Sequence, residues 1–283
     1  MLVGLSLMPT DDFRRAALPL FSAGLVDAVE WSVDVRYAEG MPVWFSGLLD
    51  FYSQQGRLYA HGVHYSTLTA GTRPHHAEWL QVAADATQAR TFQHFSEHYG
   101  FMVAGGFRRG APMPLPNSPT VLRLGRERLA ALKDATGLPV GLENLALAFS
   151  RRDALAHGAF LEALLEPSGG FVLLDLHNLW CQAVNYGIDP VDLLKTFPLE
   201  RVREVHLSGG SWTDLPGGGR FRRDTHDNGV PDALFALLAD ALPLLPACEL
   251  VILERMGGTI RTPAEEQELA DDFRRIRATV DGQ

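Results

Sequence analysis

Eight side chains able to bind a metal ion are spread along the sequence at intervals too long for one local motif: His61, His98, Glu143, Asp175, His206, Asp224, His226 and Glu254. Several sit in short polar groups, namely Glu97-His98, Glu143-Asn144, Asp175-Leu176-His177-Asn178, Asp224-Thr225-His226-Asp227 and Glu254-Arg255. Imidazole mixed with carboxylate, with no thiolate in the set, suits iron, manganese or zinc better than calcium or a thiolate-bound structural zinc. Taken singly, each residue has a plainer explanation. A lone buried histidine is more often a hydrogen-bonded core residue than a ligand, and Glu254 beside Arg255 also reads as a surface pair. The decision rests on whether the chain brings these groups together.

The elements that must position them are legible. Short apolar runs at 2–7, 26–33, 58–63, 91–97, 138–143, 171–176, 202–207 and 249–254 read as strands. Helical patterns near 11–23, 42–56, 75–90, 119–136, 152–166, 190–196, 231–245 and 263–279 alternate with them. Helix starts are marked by Pro9-Thr10-Asp11-Asp12, Asp189-Pro190 and Thr262-Pro263. Near-continuous apolar strands such as Phe171-Val172-Leu173-Leu174 fit a sheet covered on both faces. Strand–helix alternation repeated eight times predicts an α/β fold, a closed (β/α)8 TIM barrel, with residues 1–283 as one domain. A doubly wound open sheet would carry a glycine-rich turn after its first strand, where this chain has Leu7-Met8-Pro9-Thr10. The segment 209–229 is the longest irregular stretch. It is expected to form a lid or hairpin over the mouth, with Pro216-Gly217-Gly218-Gly219 as a flexible turn.

The carboxyl ends of all strands in such a barrel meet at one mouth. Strands three to eight therefore each deliver an imidazole or carboxylate to one cavity. Four acids and four histidines cannot all stay solvated there, and without cations the carboxylates repel one another and their pKa values shift. Bound metal ions remove that penalty. Eight candidate ligands exceed the need of one ion, so more than one is expected.

The remaining composition narrows the function. The chain has 283 residues, 46% hydrophobic, enough for a sizeable core. A net charge of −9 without a basic stripe argues against binding nucleic acid or an anionic membrane. No apolar run reaches the roughly 20 residues of a membrane span. No secretory pattern opens the sequence, and Cys181 and Cys248 are too few for a disulfide framework, so a reducing cytoplasm is the expected setting. Cys248 is expected at the far end of the barrel in a structural role. Cys181 is expected near the mouth, as a packed cysteine rather than a catalytic thiol.

The ordered series His61-Gly62-Val63, Ser96-Glu97-His98, Pro114-Leu115-Pro116, Leu142-Glu143-Asn144, Leu173-Leu174-Asp175-Leu176-His177-Asn178, Asn185-Tyr186-Gly187, Glu204-Val205-His206-Leu207, Asp224-Thr225-His226 and Glu254 resembles the multinuclear non-heme iron-dependent oxidative enzymes, the family of the methanobactin-biosynthesis oxidase. The resemblance implies two or three iron ions at the barrel mouth, held by His61, His98, Glu143, Asp175, His206, Asp224, His226 and Glu254, with Asn178 a further ligand or an orienting residue. It also implies O2 activation, oxidative modification of a cysteine or other residue in a ribosomally made peptide, and a companion protein that presents the peptide's leader. Glu30 matches a family acid without an assigned role. The chain departs from the family's pattern at His177, where Asn is usual, and at Glu97, where Asp is usual. It also carries Val63-His64-Tyr65-Ser66-Thr67-Leu68 where members have a run of small residues, and Gly209-Gly210 where a second histidine commonly follows strand seven. These departures leave the ligand set intact and bear on the substrate. His64 and His177 are expected to support neighbours rather than ligate.

Two other readings compete. One is a divalent-metal isomerase or phosphodiesterase on the related xylose-isomerase-like barrel, using zinc or manganese. The other is a non-catalytic metal-binding scaffold. The only lysines, Lys133 and Lys195, fall in helical patterns outside the barrel. That removes the strand-end lysine of a sugar isomerase and Schiff-base chemistry, and leaves metal-only phosphodiester hydrolysis open. No sequence feature sets an oligomeric state.

Overall fold

The computed structural model describes residues 1–35, 40–71, 73–104 and 106–282, with backbone alone at 73 and 108–111. Eight parallel strands close into a barrel: β1 (Leu2–Ser6), β2 (Ala28–Ser32), β3 (Leu58–Gly62), β4 (Phe95–His98), β5 (Val140–Glu143), β6 (Phe171–Asp175), β7 (Val202–Leu207) and β8 (Leu250–Leu253). Each pairs with its sequence neighbours, and β1 pairs with β8 through Leu2↔Leu250 to Leu5↔Leu253. All eight strands expected from the apolar runs are present.

Alternation along the strands divides the side chains between two environments. One set, including Val3, Val29, Leu58, Leu142, Val205 and Leu253, joins the large apolar layer between barrel and helices. The other set points inward. There Ala28, Tyr59, Leu250 and Ile252 form a separate apolar cluster, and one step up each strand the inward residues become polar, as with Glu30, His61 and His206. Gly141 makes room for this interior, because a Cβ there would lie 2.3 Å from the Phe171 ring.

The outer helices are α1 (Asp11–Ser22), α2 (Val43–Gln54), α3 (Arg73–Ala89), α4 (Pro119–Thr136), α5 (Arg151–Leu165), α6 (Leu176–Tyr186), α7 (Pro190–Leu194), α8 (Asp232–Ala241) and α9 (Pro263–Asp281). The Thr262-Pro263 signal becomes a full capping box, with the Thr262 hydroxyl accepting from Glu265 N–H and the Glu265 carboxylate accepting from Thr262 N–H. Asp189 caps α7 by accepting from two backbone N–H groups. Helix α6 is the element that the periodicity left irregular. It follows β6 with no intervening loop, and Asp175, the last residue of the strand, is also the helix N-cap. A second addition is the antiparallel pair Phe101–Ala104 with Phe107–Met113 after β4. The expected lid is a hairpin, Ser211–Asp214 paired with Arg220–Arg223. Its turn runs through Gly217, Gly218 and Gly219, all with φ above 90°, a region that glycine enters without steric cost.

Among the described residues no helix is long and apolar enough to cross a membrane.

Candidate metal centre

The polar inner layer lies at the carboxyl ends of the strands. Register fixes its neighbours: Ser32 stands beside His61, His98 beside Glu143, and Asp175 beside His206. His61 and His98 both aim Nε2 at Glu143 Oε2, at 3.4 and 3.3 Å. His206 Nε2 lies 3.3 Å from Glu30 Oε2, and its Nδ1 lies 3.3 Å from Glu254 Oε2. His226 Nδ1 is 3.7 Å from the same Glu254 oxygen, and its Nε2 is 2.8 Å from Asp224 Oδ1.

Four triads have ligand atoms within 4.8 Å of one another: His61–His98–Glu143, Glu30–His206–Glu254, Glu143–Asp175–His206 and Asp175–His226–Glu254. They share Glu143, Asp175, His206 and Glu254, so they form one continuous cluster. Asp224 joins it through His226. Seven of the eight expected ligands thus fall in the triads and the eighth touches one of them. Asn178 lies alongside: its Nδ2 donates to Glu143 Oε1 at 2.9 Å, while its Oδ1 is buried without a hydrogen-bond partner.

Glu30 is the member of these triads that sequence reasoning left without a role. It is fully buried inside the barrel, with neither carboxylate oxygen in a well-formed hydrogen bond. Its signal was an acid at the end of an apolar strand. His64 and Glu97 lie outside the cluster. His64 is half-buried and pairs with Asp34 at 3.5 Å. Glu97, between the inward Ser96 and His98, packs against Gly62 and Trp79.

The cluster's hydrogen bonding is incomplete in a telling way. Glu30 Oε1 and Oε2, Asp175 Oδ2, Asn178 Oδ1 and both His206 nitrogens are buried without a well-formed hydrogen bond. Such groups ordinarily cost about 1–3 kcal/mol each when unsatisfied. Two atoms held about 2.1 Å from one ion at roughly tetrahedral or octahedral angles lie about 3.0–3.4 Å apart. That matches the 3.3–3.4 Å nitrogen–oxygen separations found here. The atoms turned away from the cluster are satisfied: His61 Nδ1 meets Ser96 Oγ at 2.8 Å, and His98 Nδ1–H donates to the Gly62 carbonyl at 3.3 Å. Outer partners of this kind orient imidazole ligands. The residues present fit a group of metal ions.

Electrostatics give the same account. Burial pushes the Asp175 carboxyl up to about 8, aided by the nearby Asp224 and Glu254. Burial, with Asp175 beside it, carries Glu143 well above the usual range, and burial raises Glu30 to about 7. Burial lowers His98 to about 4 and, with neighbouring histidines, takes His61 well below its ordinary value. Against burial, Glu254 and Glu30 hold His206 well above its ordinary value, and Asp224 and Glu254 do so for His226. Cys181 is buried beside this region. Burial raises its thiol far above the ordinary range, so it stays protonated. Cys248 lies just before β8 at the opposite end of the barrel.

Fold and site together define a (β/α)8 barrel with a buried carboxylate–imidazole cluster at its mouth. Solved structures similar to the whole chain include endonuclease IV from Thermus thermophilus (TM-score 0.59, 18% identity, 100% of both chains). Another is the IOLI protein with a bound zinc atom (TM-score 0.60, 13% identity, 99% of this chain and 96% of that one). At these identities the likeness is one of fold, the xylose-isomerase-like barrel. Residues 41–280 match the family of the RiPP precursor modification enzymes MbnB/TglH/ChrH, and the chain belongs to that family. A UPF0276 protein of Caulobacter vibrioides is 30% identical over 217 residues, 75% of this chain and 73% of that protein. A UPF0276 protein of Acaryochloris marina is 32% identical over 151 residues, which is about half of each chain.

Proposed function

We propose that this chain is an iron-dependent oxidase that modifies a side chain, most simply cysteine, of a ribosomally made peptide, using two or three iron ions held at the barrel mouth. The observation that carries this reading is the run of buried, unpartnered ligand atoms shared among four overlapping triads, because one ion could not engage all of them. His61, His98, Glu143, Asp175, His206, Asp224, His226, Glu254 and Glu30 would hold the ions, with Asn178 Oδ1 completing the set. Bound iron supplies one-electron redox chemistry toward O2 and a soft partner for a substrate thiolate.

The chain's own residues account for orientation and access. Ser96 and the Gly62 carbonyl fix the rings of His61 and His98, and Asn178 holds one oxygen of Glu143 so that the other faces the centre. Side-chain exposure is 17% at His98 and His226 and 21% at Asp224, against 8% or less at the other ligands in these pairs. The peptide therefore approaches on the side of His98, Asp224 and His226, while the floor stays dry. Both lysines are engaged away from the mouth: Lys133 Nζ donates to the Ser168 carbonyl, and Lys195 is exposed near Asp192. No lysine is thus placed to polarise a sugar carbonyl. A companion protein that presents the leader completes this reading.

The test is anaerobic purification with metals quantified, then oxygen uptake with a short cysteine-bearing peptide. Iron at two or more ions per chain with peptide-dependent O2 consumption is expected. Tight zinc or manganese with no O2 consumption would replace this function with the isomerase or phosphodiesterase reading.

A further inference from the structure

Arg222, on the second strand of the hairpin, is buried yet makes no ion pair among the described residues. Its guanidinium lies over the Trp180 ring, 5.0 Å from the centroid, and 5.7 Å from that of Trp212. Its side chain donates to His177 Nε2, from Nε at 3.2 Å and from Nη2 at 3.1 Å, and the Cys181 Sγ lies 3.8 Å from the same nitrogen. A guanidinium can only donate, so this imidazole nitrogen must be the unprotonated, accepting one. The ring proton then belongs on Nδ1, which lies 2.9 Å from Asp224 Oδ1. Ser208 Oγ–H donates to the same oxygen at 3.3 Å. One tautomer satisfies both Arg222 at Nε2 and Asp224 at Nδ1. A doubly protonated ring would turn an N–H toward the guanidinium.

The hairpin is held in register for this contact. The Asn185 side-chain amide donates to the Arg222 carbonyl at 2.9 Å and accepts from Arg222 N–H at 2.8 Å, as a neighbouring strand would. Gly210 lets the hairpin seat closely, because a Cβ there would lie 2.2 Å from the Arg223 carbonyl oxygen and 2.7 Å from His177 Cε1.

We propose that Arg222 fixes His177 as the Nδ1-protonated tautomer, and that His177 in turn aims the Asp224 carboxylate at the metal centre, so that seating of the hairpin completes the centre. Both are positioning residues, and His177, with each nitrogen committed, is not a ligand. The second half of this proposal rests on the metal-centre reading above; the tautomer does not.

Two measurements decide it. In chelator-treated protein carrying 15N-labelled histidine, long-range proton–nitrogen correlation should show His177 neutral and protonated at Nδ1, and Arg222→Met, which removes both donors to Nε2, should shift the Nε2 resonance while Asp224 still holds the Nδ1 proton. In anaerobic Fe(II) titrations, His177→Phe and Arg222→Met should weaken binding at one site about 10–100-fold. His177→Asn, which keeps an N–H donor, should recover most of the loss. An Nε2-protonated His177 in the unmodified protein overturns the proposal, and so do Fe(II) titrations of His177→Phe and Arg222→Met that match the unmodified protein. If the unmodified protein takes up no metal, the proposed function and the aiming role fall together, while the correlation spectrum still decides the Arg222–His177 assignment. Because His177→Phe risks misfolding, each variant is first compared by its melting midpoint in the metal-free state, and the tautomer is read in the unmodified chain.

Discussion

Asp175 serves strand, helix and cluster at once. Its Oδ1 accepts the Asn178 backbone N–H that opens α6, while Oδ2 is buried and unpartnered among His206, Glu143, His226 and Glu254. Asp175→Ala should strip metal and abolish peptide-dependent oxygen uptake, while circular dichroism shows the barrel intact; full metal content in that variant would refute its ligand role. Asp175→Asn separates the two duties, because it keeps an acceptor for the cap and loses the charge. Residues such as Asp175 were legible because a carboxylate directly after four apolar strand residues is conspicuous. Glu30 was less so, since the groups around it, His206, Glu204 and Glu254, lie more than 170 residues further along the chain. Its place in the cluster follows from barrel closure, which no local pattern contains.

At the level of elements, the strands were readable because a covered parallel strand must be apolar on both faces. The same cause hid α6: with Asp175 read as a strand-end acid, its capping function went unused, and Asn178, Cys181 and Gln182 obscured the helical apolar face. Helix α9 was the opposite case, announced by Thr262-Pro263 and Glu265. Thr262→Ala removes the accepting hydroxyl of that capping box and should cost about 1 kcal/mol. In a chain of this size that lowers the melting midpoint by about 2–4 °C, measurable by calorimetry. An unchanged midpoint would mean that α9 is held by packing of Leu269, Phe273 and Ile276 alone.

For the whole molecule, the cluster ties stability to both metal and pH. In the metal-free protein Asp175, raised by burial to about 8, binds its proton more tightly when folded than when unfolded, and so do His206 and His226. Between pH 7 and 8.5 the folded state therefore holds more protons than the unfolded chain, and its stability falls as pH rises. His61 and His98, both lowered by burial, are neutral when folded and only about a quarter protonated at pH 7 when unfolded, so they oppose the trend weakly and less as pH rises. Chelated protein should accordingly melt at progressively lower temperature from pH 7 to 8.5. Metal-loaded protein should melt higher throughout and lose affinity toward acid, because loading must displace these protons. Proton release on adding Fe(II) at pH 7, followed with an indicator dye, checks the sign: no release would mean that the carboxylates are already ionised without the ions.

The direct passage from β6 into α6 sets where this scaffold can grow. With no loop between Asp175 and Leu176, an inserted residue would swing Asn178 by about 100° around the helix axis and take its Oδ1 out of the cavity. The hairpin turn at Leu215–Gly219 is exposed and made largely of glycine. Extra length there leaves Arg222 and its partners where they are. Variation that changes which peptide is accepted, whether natural or grafted in the laboratory, should therefore gather at that tip, while the strand-to-helix junction across the mouth keeps a fixed length.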